Sequence, residues 1–284
     1  MGRSLAVDLG WRALSLLEMG GVMAIYFWGI WQVGPALAQN GTALGPGVGG
    51  LFLATAVYAA VVSPLVVHHD SGPLRGVGSW RRGFLRTDNL GRALAVYGSL
   101  ASAALLLIVA AALATGRFSP LAFDWDALGR RFFLYIFSAL GQQLFIFGFF
   151  YPRLTCLLYG GRTFNGDHLD ADACRRPFAQ ARFCQGLTDR ELLCVGWLGL
   201  VAALFHYPNT TLMLGVFFAA ALWSLVYRNV PNIWVSAVAH AAIGASLNLI
   251  LGVNTRIGPS FGSNYRGFFR TVFPFLEQVI NGKF

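Results

Sequence analysis

Residues 93–114 read ALAVYGSLASAALLLIVAAALA, 22 residues without a charge. At 1.5 Å of rise per residue, such a helix spans about 33 Å, enough to cross roughly 30 Å of hydrocarbon. An amphipathic helix of a soluble domain carries a polar face, and this segment has none. The alternation of a barrel strand is missing too. Backbone groups in lipid must be satisfied within the segment, so the reading is a spanning α-helix.

Working outward, similar apolar runs lie at about 13–36, 49–67, 131–151, 192–207, 210–227 and 232–252. The expected fold is an all-α, polytopic transmembrane helix bundle of about seven spanning helices. It divides into N-terminal transmembrane helices over 1–130, a four-helix core over 131–252 and a tail over 253–284. Within the tail, Thr271–Ile280 is apolar enough to rest on a membrane surface. Composition agrees. Only 12% of residues are charged, against roughly 25% in soluble domains, and mean hydropathy is +0.59.

The net charge of +9 does not indicate nucleic acid. The arginines collect in short segments between apolar runs: Arg75, Arg81, Arg82, Arg86 and Arg92 in one, and Arg153, Arg162, Arg175, Arg176, Arg182 and Arg190 in another. The positive-inside rule places these loops and the N-terminus in the cytoplasm, and a plasma (inner) membrane is expected because nothing marks an organelle. The expected partners are the lipid bilayer and a membrane-associated peptide or protein. Residues 13–33 are too long for a signal-peptide core, so the first helix is expected to stay uncleaved. Cys156, Cys174, Cys184 and Cys194 include no CxxC pair and read as free thiols. Asp167, His168, Asp170 and Asp172 lack the ligand spacing of a calcium loop and read as solvated.

Polar side chains inside spanning helices are costly and mark functional candidates. Gln142 and Gln143 lie in the fourth run, His206 just before Pro208, and His240 in the last run on a stripe with Ser236, Gly244 and Asn248. Small residues on that stripe admit a neighbouring helix. Glu18 lies early in the first run, where Arg3 or Arg12 would screen it.

This order of motifs resembles the CAAX prenyl protease and bacteriocin-processing family (CPBP, or Abi), intramembrane endopeptidases with a Glu-Glu pair, an FxxxH helix and an HxxxN helix. The resemblance covers about 130–250. Gln142-Gln143 stands in the Glu-Glu place, Gly148 at the motif glycine, and Tyr151-Pro152-Arg153-Leu154 at the helix end. His206 and His240 stand at the two motif histidines, and Arg228-Asn229 matches a turn of one branch. Phe147 replaces the motif arginine, Ala202 the first aromatic and Gly244 the motif asparagine, with Asn248 one turn further on.

The resemblance implies a water-activating site formed by Gln142, Gln143, His206 and His240, supported by Phe147, Arg153, Asn209 and Asn248, with no cofactor. An amide has no basic lone pair, so neither glutamine replaces a glutamate as general base. That role falls to a histidine. Two histidines without a carboxylate make a poor zinc site, so no metal is expected. Two functions stay open: an endopeptidase with a histidine-based site, and a non-catalytic relative that binds a peptide, lipid or partner as scaffold, chaperone or regulator. A transporter would need matching broken helices in two halves, and none is apparent. Gly244-Ala245-Ser246 resembles a rhomboid nucleophile, but Ser246 shares its helix with His240.

Overall fold

The computed structural model describes residues 5–29, 46–68, 89–120, 123–159 and 188–253. Seven helices form among them: α1 Leu5–Trp28, α2 Pro46–Val57 continuing as a π-helical stretch over Tyr58–Val67, α3 Leu90–Ala114, α4 Trp125–Tyr159, α5 Asp189–Leu204, α6 Thr210–Asn229 and α7 Ile233–Leu249. No strand occurs among the described residues, so the chain is an all-α bundle. Three helices, α3, α4 and α6, are long and apolar enough to cross a membrane. The other four fall short in length or hydropathy among the described residues.

The apolar faces of the three long helices point outward. Only 28%, 28% and 22% of their most apolar windows are buried. Leu106 and Leu107 of α3 are 71% and 72% exposed. In water such a surface would be an aggregation hazard, whereas lipid solvates it.

Side-chain caps fix where several helices begin. Asp124 accepts from the Ala127 N–H, which starts α4 ahead of the apolar run. Thr188 and Glu191 form a reciprocal capping box on α5. Asn209 and Asn232 cap α6 and α7. Each cap satisfies amide groups that the first turn leaves without partners. Helix α4 runs past both glutamines and widens into π-helical turns over Leu144–Phe150. It then resumes as Tyr151–Tyr159. Arg153, read above as a loop charge, is therefore buried in a helix. Helix α5 ends at Leu204, so His206 and Pro208 lie in the turn that follows, not within the helix.

The largest core joins Met19 and Val22 of α1, Phe147, Phe149 and Phe150 of α4, Leu198 of α5 and Tyr227 of α6. Ala93, Val96 and Tyr97 of α3 pack on Val226, Val230 and Val235 at the α6–α7 junction. That junction is tied by hydrogen bonds. Asn232 Nδ2 donates to Asn89 Oδ1 at 3.0 Å, Asn89 Nδ2 to the Pro231 carbonyl at 3.0 Å, and the Tyr97 hydroxyl to the Val230 carbonyl at 3.1 Å. Helices of the first 130 residues thus share cores with the rest. Arg75, Arg81, Arg82 and Arg86, the 160–187 insert with its Asp-His cluster, Cys174, Cys184 and the Thr271–Ile280 piece lie outside the described residues.

Helices α5 and α6 meet at Gly199, where an added Cβ would lie 2.8 Å from the Phe217 carbonyl oxygen. Gly199→Ala is expected to push the helices apart and cost about 1–3 kcal/mol. At Gly196, a Cβ meets nothing within 4 Å. Gly196→Ala should be neutral or stabilising, by up to roughly 1 kcal/mol of helix propensity. Thermal unfolding in detergent compares the two, and equal melting temperatures would refute the close contact.

Candidate functional site

Gln143 faces α7 from α4, just before the π-helical turns. Its Nε2 lies 2.9 Å from His240 Nδ1, and its Oε1 accepts from the Ser236 hydroxyl at 2.7 Å. Ser236 Oγ in turn accepts from the Trp223 indole N–H at 2.6 Å. An indole N–H only donates, so it fixes one end of the chain. With the amide oriented this way, donation runs from Trp223 to Ser236 to Gln143, and from Gln143 to His240 Nδ1. The imidazole then carries its proton on Nε2.

His206 is set in the opposite sense. Its Nδ1 lies 2.8 Å from the Ala202 carbonyl oxygen, which only accepts. In the neutral ring, Nδ1 therefore holds the proton and Nε2 holds a basic lone pair. His206 is an electrostatic neighbour of His240, and both rings are half-buried. The pair offers one Nε2 acceptor and one Nε2–H donor.

The other expected residues divide. Gln142 belongs to the surround of this site: its Nε2 donates to Ser138 Oγ at 3.2 Å, and its side chain is an electrostatic neighbour of the Tyr135 hydroxyl. The Tyr135 ring stands edge-on to His240 at 6.0 Å and fills the space over Gly244. A Cβ at Gly244 would collide with that ring, so the small residue admits an aromatic side chain of α4. Asn248 donates to the Val253 carbonyl at 3.1 Å, closing the end of α7. Asn209 is buried and caps α6 through the Leu212 N–H at 3.1 Å. Phe147 stacks on Tyr227 at 4.1 Å in the core. It supplies no charge to the site.

Arg153 belongs to a second polar centre. Glu18, on α1, accepts from the Tyr58 hydroxyl at 2.6 Å through Oε1. Glu18 Oε2 lies 2.9 Å from His68 Nε2 and 3.9 Å from an Arg153 guanidinium nitrogen. His68 and Arg153 are fully buried, and the Trp11 ring stands edge-on to His68 at 5.4 Å. Glu18 is thus balanced by residues from α2 and α4, not by Arg12, and Arg3 lies outside the described residues. Sequence reasoning missed Trp223, Tyr135, Tyr58 and His68. Trp223, Tyr58 and His68 have partners 13, 40 and 50 positions away in the chain, Tyr135 meets His240 from another helix, and only Ser236, one turn before His240, carries a local signal.

Among the described residues, no three His, Cys, Asp or Glu side chains gather where a metal ion would sit. Cys156 and Cys194 are buried thiols outside any disulfide. No known protein family, curated protein or solved structure matches the chain.

The hydrogen-bond chain makes a testable claim about one proton. In ¹⁵N NMR of histidine-labelled protein, His240 is expected as the Nε2–H tautomer. Gln143→Glu should convert it to a ring protonated on Nδ1, because a carboxylate only accepts. An Nδ1–H tautomer in the unmodified chain would mean that the amide is reversed, with Oε1 on His240.

Proposed function

We propose that this chain is a multi-pass membrane protein related to the CAAX-protease-like endopeptidases, with a histidine-based hydrolytic site near one membrane face. The observation that carries this reading is the opposed setting of the two histidines: His206 held through Nδ1 by a carbonyl, and His240 held through Nδ1 by an amide. One ring is left as base and the other as donor.

The reaction needs no further group. His206 Nε2 takes a proton from water as the oxygen attacks the peptide carbonyl carbon. His240 Nε2–H donates to the carbonyl oxygen as negative charge develops there. The His206 imidazolium then returns the proton to the departing amine, giving one carboxylic acid and one amine. Gln143 is a positioning residue that sets the His240 tautomer. The low-charge helices support membrane residence. The arginine-rich segments favour a plasma (inner) membrane with a cytoplasmic N-terminus.

One observation favours a second reading, a non-catalytic member that holds a peptide or partner. An amide stands beside His240, and Phe147, at the family's arginine position, stacks in the core. Neither provides the carboxylate or the cation of the family pattern.

Membrane-protein termini compared by mass spectrometry separate the two readings, using strains with the intact gene, a deletion, and rescue by His206→Ala/His240→Ala at equal expression. Under the hydrolytic reading, a defined terminus disappears on deletion and the double variant does not restore it. Purified His206→Ala should then cleave the identified peptide about 10²–10⁴-fold more slowly, the usual contribution of a general base. Restoration of the terminus by the double variant would refute catalysis and leave the binding role.

A further inference from the structure

Apart from the histidine site, a groove of about 520 Å³ runs between α1 and α2. That lies within the roughly 300–1,000 Å³ typical of small-molecule sites. Leu14, Leu17, Val22, Ile25 and Ala54 line it, and Glu18, Thr55 and Tyr58 supply its polar groups. Leu17, which lines it, is 72% exposed, so its outer side opens to the surroundings of the bundle.

The hydrogens of this polar end are already committed. Tyr58 gives its hydroxyl proton to Glu18 Oε1 at 2.6 Å. Thr55 gives its own to the Leu51 carbonyl at 2.8 Å. A carboxylate has none to give. All three side chains are thus left able only to accept a hydrogen bond from a ligand. Arg153 and His68 stand on the other carboxylate oxygen, so the centre holds no surplus negative charge to attract an ammonium group.

We propose that this groove binds a neutral single-chain amphiphile whose polar end donates hydrogen bonds through hydroxyl groups. The alkyl chain lies along Leu14, Leu17 and Ile25, and a head hydroxyl donates to Glu18, Tyr58 or Thr55. A phosphate-headed lipid fits poorly, because its phosphate oxygens only accept and these three side chains have no hydrogen left to give. The proposal takes the open side of the groove as lipid-facing. It rests on the membrane reading above and is independent of the His206–His240 chemistry.

The groove offers a clean perturbation. A Cβ at Gly21, which also lines it, meets nothing within 4 Å. Gly21→Leu therefore projects into the groove from a position with room at Cβ, and Ala54→Leu enters it from α2. The test uses the full chain in phosphatidylcholine nanodiscs with a photoreactive monoacylglycerol as probe, and reads labelled peptides by mass spectrometry. Label is expected on residues 14–25 and 54–58. Excess unlabelled monoacylglycerol should suppress it about tenfold, equivalent to a ligand at roughly ten times its Kd, whereas lysophosphatidate of the same chain length should not.

Gly21→Leu and Ala54→Leu should each reduce labelling comparably with unchanged melting temperature, and if one fails to fold the other decides. Undiminished labelling in a folded variant, or equal competition by lysophosphatidate, would overturn the proposal and identify the groove as a surface wetted by bulk lipid. Recovery of the protein in the soluble fraction of lysed cells would instead overturn the membrane reading itself.

Discussion

A polar side chain inside an apolar bundle must find its partner within the protein, because neither lipid nor a hydrocarbon core supplies one. An unsatisfied amide or hydroxyl in such surroundings costs several kcal/mol, and an ionised group more. Gln142 and His206 meet that constraint within their own stretch of chain, whereas three other polar centres meet it by crossing between elements. Gln143 of α4 joins Ser236 and His240 of α7. Glu18 of α1 joins Tyr58 and His68 on the α2 side and Arg153 of α4. Asn89, ahead of α3, joins Asn232 and Pro231 between α6 and α7. These contacts tie together helices whose apolar surfaces alone would slide without a preferred register.

The same constraint shapes the chemistry. A neutral histidine whose ring nitrogens both meet water is free to exchange tautomers, whereas one with a nitrogen held by a group that only accepts or only donates is set. His206 and His240 are set in opposite senses, by a backbone carbonyl and by a glutamine amide. A glutamate at position 143 would accept from both Ser236 and His240 and reverse the second setting. The glutamine is therefore more than a lost base, since it changes which proton the neighbouring ring presents. The π-helical turns after Gln143 matter here. They separate the part of α4 that faces α7 from the part that carries Arg153 to α1.

How much of the site was legible follows the range of the forces involved. His206, His240 and the glutamine pair stand out because ionisable and amide groups are rare in apolar runs, and rarity is visible without a structure. Asn248 looked similar, one turn beyond Gly244, yet it closes the end of its own helix. Helical spacing gives the face a residue occupies but not whether a nearer backbone carbonyl claims its side chain. Arg153 was misread for a related reason. It follows Tyr151-Pro152, where a helix ordinarily starts or stops. A proline at the second position of a resumed helix is tolerated because that N–H is not required, so α4 continues through it.

Composition and periodicity determined the all-α class and the apolar runs, because burial in lipid acts on each residue type independently of its partners. Residues 93–114, 131–151 and 210–227 already lie inside the three helices long and apolar enough to span a membrane. Tertiary structure alone decided which polar residues meet. The Gln143–His240, Glu18–His68 and Trp223–Ser236 contacts join different helices or stretches of chain, and hydrogen bonds depend on distances of a few tenths of an ångström. Sequence spacing does not carry that precision across a turn or a loop.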